Sequence, residues 1–212
     1  MVMNDPVERC RSYEMLENNA KDKPCVATIK GSPIFSGDIQ HGARLSEETP
    51  IKWEGKSIVE LKGPTADQIW PLLEDFCNIN KWFPSIDVCN HVDGELGKPG
   101  LTRYCASKTL STYGSYDEAE VRWVKERLLM INPAEKCLSY EVLENNSGFK
   151  SYVGTMKVLE INGSDAGENG CKIEWSFIAD PVEGWTLEDF SSFINFCLQS
   201  MGKNMEQDVL SG

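Results

Sequence analysis

Hydrophobic and polar positions along the chain change character near residue 50. Residues 1–50 are polar, carry Pro6, Pro24, Pro33 and Pro50, and show no sustained period, which predicts an N-terminal extension with weak local order. A short hairpin over Val26 to Phe35 is the only element expected there. From Ile51 the pattern becomes regular. Ile51 to Leu61 alternates as a strand does, and Gly63-Pro64 ends it. Thr65 and Gln68 have capping-box spacing, and Ile69, Leu72, Leu73 and Phe76 recur at helical spacing, so a helix is expected from about Ala66. Pro71 lies inside it, where a missing N–H starts or kinks a helix.

A second short helix, Ile79 to Phe83, is stopped by Pro84. Strands are then expected at Ile86 to Val92, Leu101 to Lys108, Tyr116 to Met130, Cys137 to Leu143, Phe149 to Ile161 and Cys171 to Ala179. Asn132-Pro133, Asn145 to Gly148 and Asn162 to Gly170 supply the turns between the later ones. Thr186, with Asp189 three residues on, caps a long helix whose apolar face carries Phe190, Phe193, Ile194, Cys197, Leu198, Met201 and Met205. Strand, two short helices, six strands and a long helix make an α+β protein of helix-grip order: a curved seven-stranded antiparallel sheet around a long C-terminal helix. A sheet that curves around one helix leaves room for an internal cavity. The expected organisation is an extension over 1–50 and one ligand-binding domain over 51–212.

Composition narrows the partners. A net charge of -12, with no run of Lys or Arg, excludes a phosphate-tracking surface, so neither nucleic acid nor an anionic membrane is expected. The eight cysteines are scattered and none forms a C-x-x-C pair, which suits thiols in a reducing compartment better than a disulfide scaffold. The first residues have neither a basic start nor an apolar run, so no leader or anchor is read there and the expected location is cytoplasmic. Sequons at Asn145 and Asn162 are chance matches on that reading.

Most catalytic signatures are missing. There is no G-x-S-x-G, no Walker loop and no G-x-G-x-x-G, and the only histidines are His41 and His91, so no metal site and no cofactor are expected. What remains is a carboxylate, a guanidinium and aromatic residues in the strands.

Those residues lie in segments whose order and spacing resemble one family. They are K-W-E-G at Lys52 to Gly55, P-L-L-E-D-F at Pro71 to Phe76, F-P-S-I at Phe83 to Ile86 and T-R-Y at Thr102 to Tyr104. Further on come W-V-K-E-R-L at Trp123 to Leu128, S-Y at Ser139 and Tyr140, Y-V-G-T-M at Tyr152 to Met156 and E-W-S-F at Glu174 to Phe177. From Lys52 onward the chain resembles the plant lachrymatory-factor synthases of the START-like, birch-allergen-like superfamily of polyketide cyclases and lipid carriers.

The resemblance implies a cofactor-independent enzyme that rearranges, isomerises or cyclises a small hydrophobic or amphipathic plant metabolite. Arg103 and Glu126 match the pair that carries the family's reaction, and Tyr140, Tyr152 and Trp175 match pocket aromatics. Burial disfavours a charged glutamate and a neighbouring arginine favours it, so such a pair can poise a base for proton transfer. From spacing alone, Arg103 and Glu126 equally fit an ordinary cross-strand ion pair, or a Glu126 turned to solvent beside Lys125 and Arg127. Tyr140, Tyr152 and Trp175 equally fit core packing.

Two departures from the family bear on the pocket. Cys197 stands where the family's last helix presents a Trp, and Ser107 to Ser115 is longer than the equivalent turn, so pocket volume and a sulfenic acid substrate are both open. E-R-L-L-M-I-N, from Glu126, also resembles the abscisic acid receptors. Their Ser-Gly-Leu-Pro gate is replaced here by K-T-L-S-T-Y-G-S-Y at Lys108 to Tyr116, which disfavours a receptor and leaves a non-catalytic carrier or sensor as the alternative.

Overall fold

The structure, a computed structural model, describes residues 51–109, 120–161 and 170–212. The expected extension, the hairpin at 26–35, the gate-equivalent segment at 110–116 and the turn at 162–169 lie outside the described residues. The described elements follow the expected order. Strand β1 (Trp53–Lys62) leads to helix α1 (Ala66–Glu74) and a 3-10 turn (Phe76–Lys81). Strands β2 (Val88–Asp93), β3 (Thr102–Thr109), β4 (Glu120–Asn132), β5 (Cys137–Asn145), β6 (Tyr152–Ile161) and β7 (Gly170–Ala179) follow, and helix α2 (Leu187–Ser211) ends the chain. The sheet order is β1-β7-β6-β5-β4-β3-β2, every neighbour antiparallel. This is the helix-grip arrangement.

Period-two burial gives the sheet one inner face. Tyr152, Gly154, Met156 and Val158 of β6 are buried, as are Ile173, Trp175, Phe177 and Ala179 of β7. The residues between them point outward, where Lys56–Glu174 (2.7 Å) and Lys125–Glu144 (3.0 Å) pair across strands. Such exposed pairs contribute at most about 1 kcal/mol each, so the inner face holds the domain together.

Both helices begin on capping boxes. Gln68 N donates to Thr65 Oγ1 at 3.3 Å and Thr65 N to Gln68 Oε1 at 3.0 Å; Asp189 N donates to Thr186 Oγ1 at 3.1 Å. Pro71 lies inside α1 and does not start it. Its missing N–H costs one bond in a helix anchored by the burial of Ile69, Trp70 and Leu73, and the chain leaves the helix only after Glu74. Helix α2 buries Phe190, Ile194, Cys197, Leu198, Met201, Gly202 and Met205. Gly202 permits the closest approach: a Cβ there would stand 2.9 Å from Val59 Cγ1 and 3.1 Å from Leu61 Cδ2, so a bare backbone lets the helix lie against β1. Asn204 Nδ2 donates to Trp82 O at 2.9 Å and ties the helix to the end of the 3-10 turn.

The turn between β5 and β6 is built by Asn145. Its Nδ2 donates to Phe149 O at 2.8 Å, and its Oδ1 accepts from Ser147 N and Phe149 N, each at 3.0 Å. The side-chain amide of that sequon is therefore committed to the fold.

Candidate functional site

Arg103 and Glu126 stand directly opposite each other on β3 and β4. Both are buried, at 6% and 9% exposure, and Arg103 Nε donates to Glu126 Oε2 at 2.6 Å. Arg103 Nη1 also donates to the carbonyl of Phe76 at 2.5 Å, and the guanidinium carbon lies 3.8 Å from the centre of the Phe76 ring and 5.5 Å from that of Tyr140. The 3-10 turn, which carries Phe76, is thus pinned to the sheet by a cation. Burial works against the charge on Arg103, but the Glu126 carboxylate, with Cys105, Cys89 and Tyr140, outweighs it and leaves the guanidinium charged. These bonds use Nε and Nη1 of Arg103 and Oε2 of Glu126; Nη2 and Oε1 take no part in them.

Beside the pair runs a chain of phenols and an indole. Trp175 Nε1 donates to Tyr152 Oη at 3.1 Å, and Tyr152 shares a side-chain hydrogen bond with Tyr140. Burial raises the pKa of both phenols above the ordinary tyrosine range, and the Glu126 carboxylate adds to the effect on each, so both are protonated donors at neutral pH. Tyr140 lies flat because its partner across the sheet is Gly154. A Cβ at Gly154 would stand 2.7 Å from Tyr140 Cζ and 2.8 Å from its Oη. Gly55, opposite Phe177, does the same for that ring, with 2.5 Å to its Cε1.

The space between sheet and α2 is filled by rings. Phe177 meets Phe190 edge-on at 4.9 Å, Tyr152 stacks on Phe177 at 6.3 Å, and Phe83 meets Trp175 edge-on at 6.4 Å. Two depressions, of about 270 and 200 Å³, are lined by residues that include Glu54, Thr155 and Phe177 in one and Ala134 and Lys157 in the other. The cluster meets solvent at the half-buried Phe83 and Phe149.

Every residue singled out from the sequence is on the inner side. Arg103 and Glu126 form the pair, Tyr140, Tyr152 and Trp175 form the hydrogen-bonded chain, and Cys197, 3% exposed on α2, lies close enough to Tyr152 to affect its ionisation. The solvent-facing alternative for Glu126 is therefore excluded. His91 is exposed on β2, with Nε2 2.9 Å from Gly94 O. Sequence reasoning missed four contributors. The Phe76 carbonyl carries no side-chain signal, Gly154 sat unremarked inside Y-V-G-T-M, and Cys89 and Cys105 come together only through the β2–β3 register. Among the described residues no cluster of three or more His, Cys, Asp or Glu could hold a metal ion, and no helix is long and apolar enough to cross a membrane.

Comparison with known proteins agrees with this architecture. The structure is similar to XoxI from Bacillus cereus, with a TM-score of 0.56 and 22% identity over 74% of this chain and 95% of that one. It is also similar to ginseng major latex-like protein 151 from Panax ginseng, with a TM-score of 0.53 and 18% identity over 74% of this chain and 99% of that one. At these identities the likeness is one of fold. Residues 59–206 match the family model described as polyketide cyclase / dehydrase and lipid transport. That match spans most of the chain and includes all six candidate site residues, and the chain belongs to this START-like family.

Proposed function

We propose that this protein takes up a small, partly apolar molecule on the inner face of its sheet and moves a proton on it without a cofactor, in the manner of a lachrymatory-factor synthase. The observation that carries the proposal is the burial of a complete charge pair, Arg103 and Glu126, next to three aromatic side chains that present polar atoms inward. In this reading Arg103 Nη2 holds the oxygen-bearing end of the substrate. Glu126 Oε1 accepts a proton at one atom and returns it at another, which rearranges or isomerises the molecule. Tyr140 and Tyr152 donate hydrogen bonds to charge that develops on the substrate oxygen. Room for the ligand is made when rings such as Phe83 and Phe149 turn aside, so binding is coupled to a side-chain rearrangement.

A second reading is favoured by the bond from Arg103 to the Phe76 carbonyl. It gives the guanidinium a structural task, which suits a non-catalytic carrier of the same class of ligand. Ligands co-purified from source tissue, identified by mass spectrometry, separate the two readings. An enzyme converts its ligand, and Glu126→Gln stops conversion while the ligand remains bound. A carrier releases the ligand unchanged whether residue 126 is Glu or Gln.

A further inference from the structure

The β2–β3 hairpin places two thiols side by side next to this site, in a role that the proton-transfer reading does not use. Cys89 and Cys105 are direct cross-strand partners, with Cys105 Sγ donating to Cys89 Sγ at 3.3 Å. Opposed residues on antiparallel strands have Cα atoms roughly 4.5–5.5 Å apart, within the roughly 4.4–6.8 Å that a disulfide spans. Bond formation needs the sulfurs to close by about 1.3 Å. Among the described residues β2 pairs only with β3, which lets one strand supply that movement. Cys89 is half-buried and open to a small oxidant, whereas Cys105 is 4% exposed and faces it from within.

From this geometry we infer that Cys89 and Cys105 form a reversible oxidation site for hydroperoxides, with Cys89 as the attacking thiol and Cys105 as the resolving one. The Cys89 thiolate attacks one peroxide oxygen, the O–O bond breaks, and the other oxygen leaves as water or alcohol after taking a proton. The Cys89 sulfur loses two electrons to the peroxide and becomes a sulfenic acid. Cys105 sulfur then attacks it, the S–O bond breaks, its thiol proton leaves with the hydroxide as water, and the S–S bond forms. The balance is two thiols and one hydroperoxide giving one disulfide, one alcohol or water, and one water. A dithiol reductant restores both thiols.

The electrostatics support this order. The hydrogen bond from Cys105 lowers the Cys89 pKa to about 7, against the effect of burial and with help from Arg103, while the same bond and burial raise that of Cys105. The thiolate of Cys89 is therefore favoured over that of Cys105. Cys137 is an internal control: it is also half-buried, but burial raises its pKa. Cys89 should therefore oxidise faster than Cys137.

The test is limiting hydrogen peroxide on the full-length protein, followed by differential alkylation and peptide mass spectrometry. The expected result is loss of Cys89 and Cys105 alkylation in parallel, a linked peptide pair 2 Da lighter than the two thiols, and full recovery with dithiothreitol. In Cys105→Ser, Cys89 should accumulate as a sulfenic acid trapped by a 1,3-diketone, and Cys89→Ser should leave Cys105 alkylatable. The inference is overturned if Cys89 oxidises no faster than Cys137. Linkage of Cys89 to Cys77, whose thiol is also close to it, or irreversible over-oxidation in the unaltered protein, overturns it equally.

Discussion

Replacing Gly154 with alanine puts a methyl group where the Tyr140 ring already lies, 2.7 Å from Cζ and 2.8 Å from Cε1. The backbone itself accepts alanine, because Gly154 is not among the residues with positive φ. The ring has little freedom to yield. Phe76 and Tyr152 hold it at centroid distances of 5.9 and 6.1 Å, the Arg103 guanidinium lies over it, and its hydroxyl is bonded to Tyr152. Overpacking at such a site costs about 1–3 kcal/mol, partly offset by the roughly 0.5–1 kcal/mol gained when glycine is replaced in a strand. A net loss of about 1–2 kcal/mol lowers Tm by about 4 °C in a domain of this size. In Tyr140→Leu the colliding ring atoms are absent, so the same substitution should stabilise by about 0.5–1 kcal/mol. Thermal and urea unfolding of the four proteins measures the coupling, expected to be about 2 kcal/mol. If Gly154→Ala has the same effect in both backgrounds, Tyr140 does not rest on Gly154 and the description of the site is wrong.

Three further outcomes are expected. Arg103→Met leaves a buried carboxylate unpaired and should cost about 3–5 kcal/mol in urea unfolding, whereas Arg103→Met with Glu126→Leu should recover most of that loss. Burial holds the Tyr140 and Tyr152 pKa values above the ordinary range, so above about pH 10 the unfolded chain releases phenolic protons that the folded one retains. Stability should therefore fall as pH rises past that point, with the fall reduced in Tyr152→Phe; unchanged pH dependence in that variant would contradict the assignment. Finally, we propose that residues 1–48 are a separable extension, and their removal should leave one cooperative thermal transition.

Much of this fold was legible because its signals are local. The capping boxes at Thr65 and Thr186, the alternating strands and the helical face from Phe190 to Met205 are each written within a few residues, and each was found where expected. Pro71 could be placed inside the helix from the sequence, but only the burial of Ile69 and Leu73 shows what carries the helix past it. Candidate residues for the site could be named from the sequence, but their geometry could not. Arg103 and Glu126 could be named from their motifs, but that they oppose each other, and that the Phe76 carbonyl takes the second guanidinium nitrogen, depends on strand register and on where the 3-10 turn docks. A chain rich in aromatic residues does not state where their rings lie, and here glycines at 55 and 154 let Phe177 and Tyr140 lie down against the sheet.

The central claim is that Glu126 moves a proton on a molecule bound beside Arg103. Its most direct test is the single-turnover rate of the co-purified ligand on the unaltered protein and on Glu126→Gln, with the dissociation constant measured alongside. Glutamine keeps the shape of the side chain and removes its basicity. The rate should fall by about 10²–10⁴-fold while the dissociation constant changes little. Equal rates in the two proteins, with the ligand bound equally well, would contradict the claim and leave the pair as the clamp that holds the 3-10 turn to the sheet.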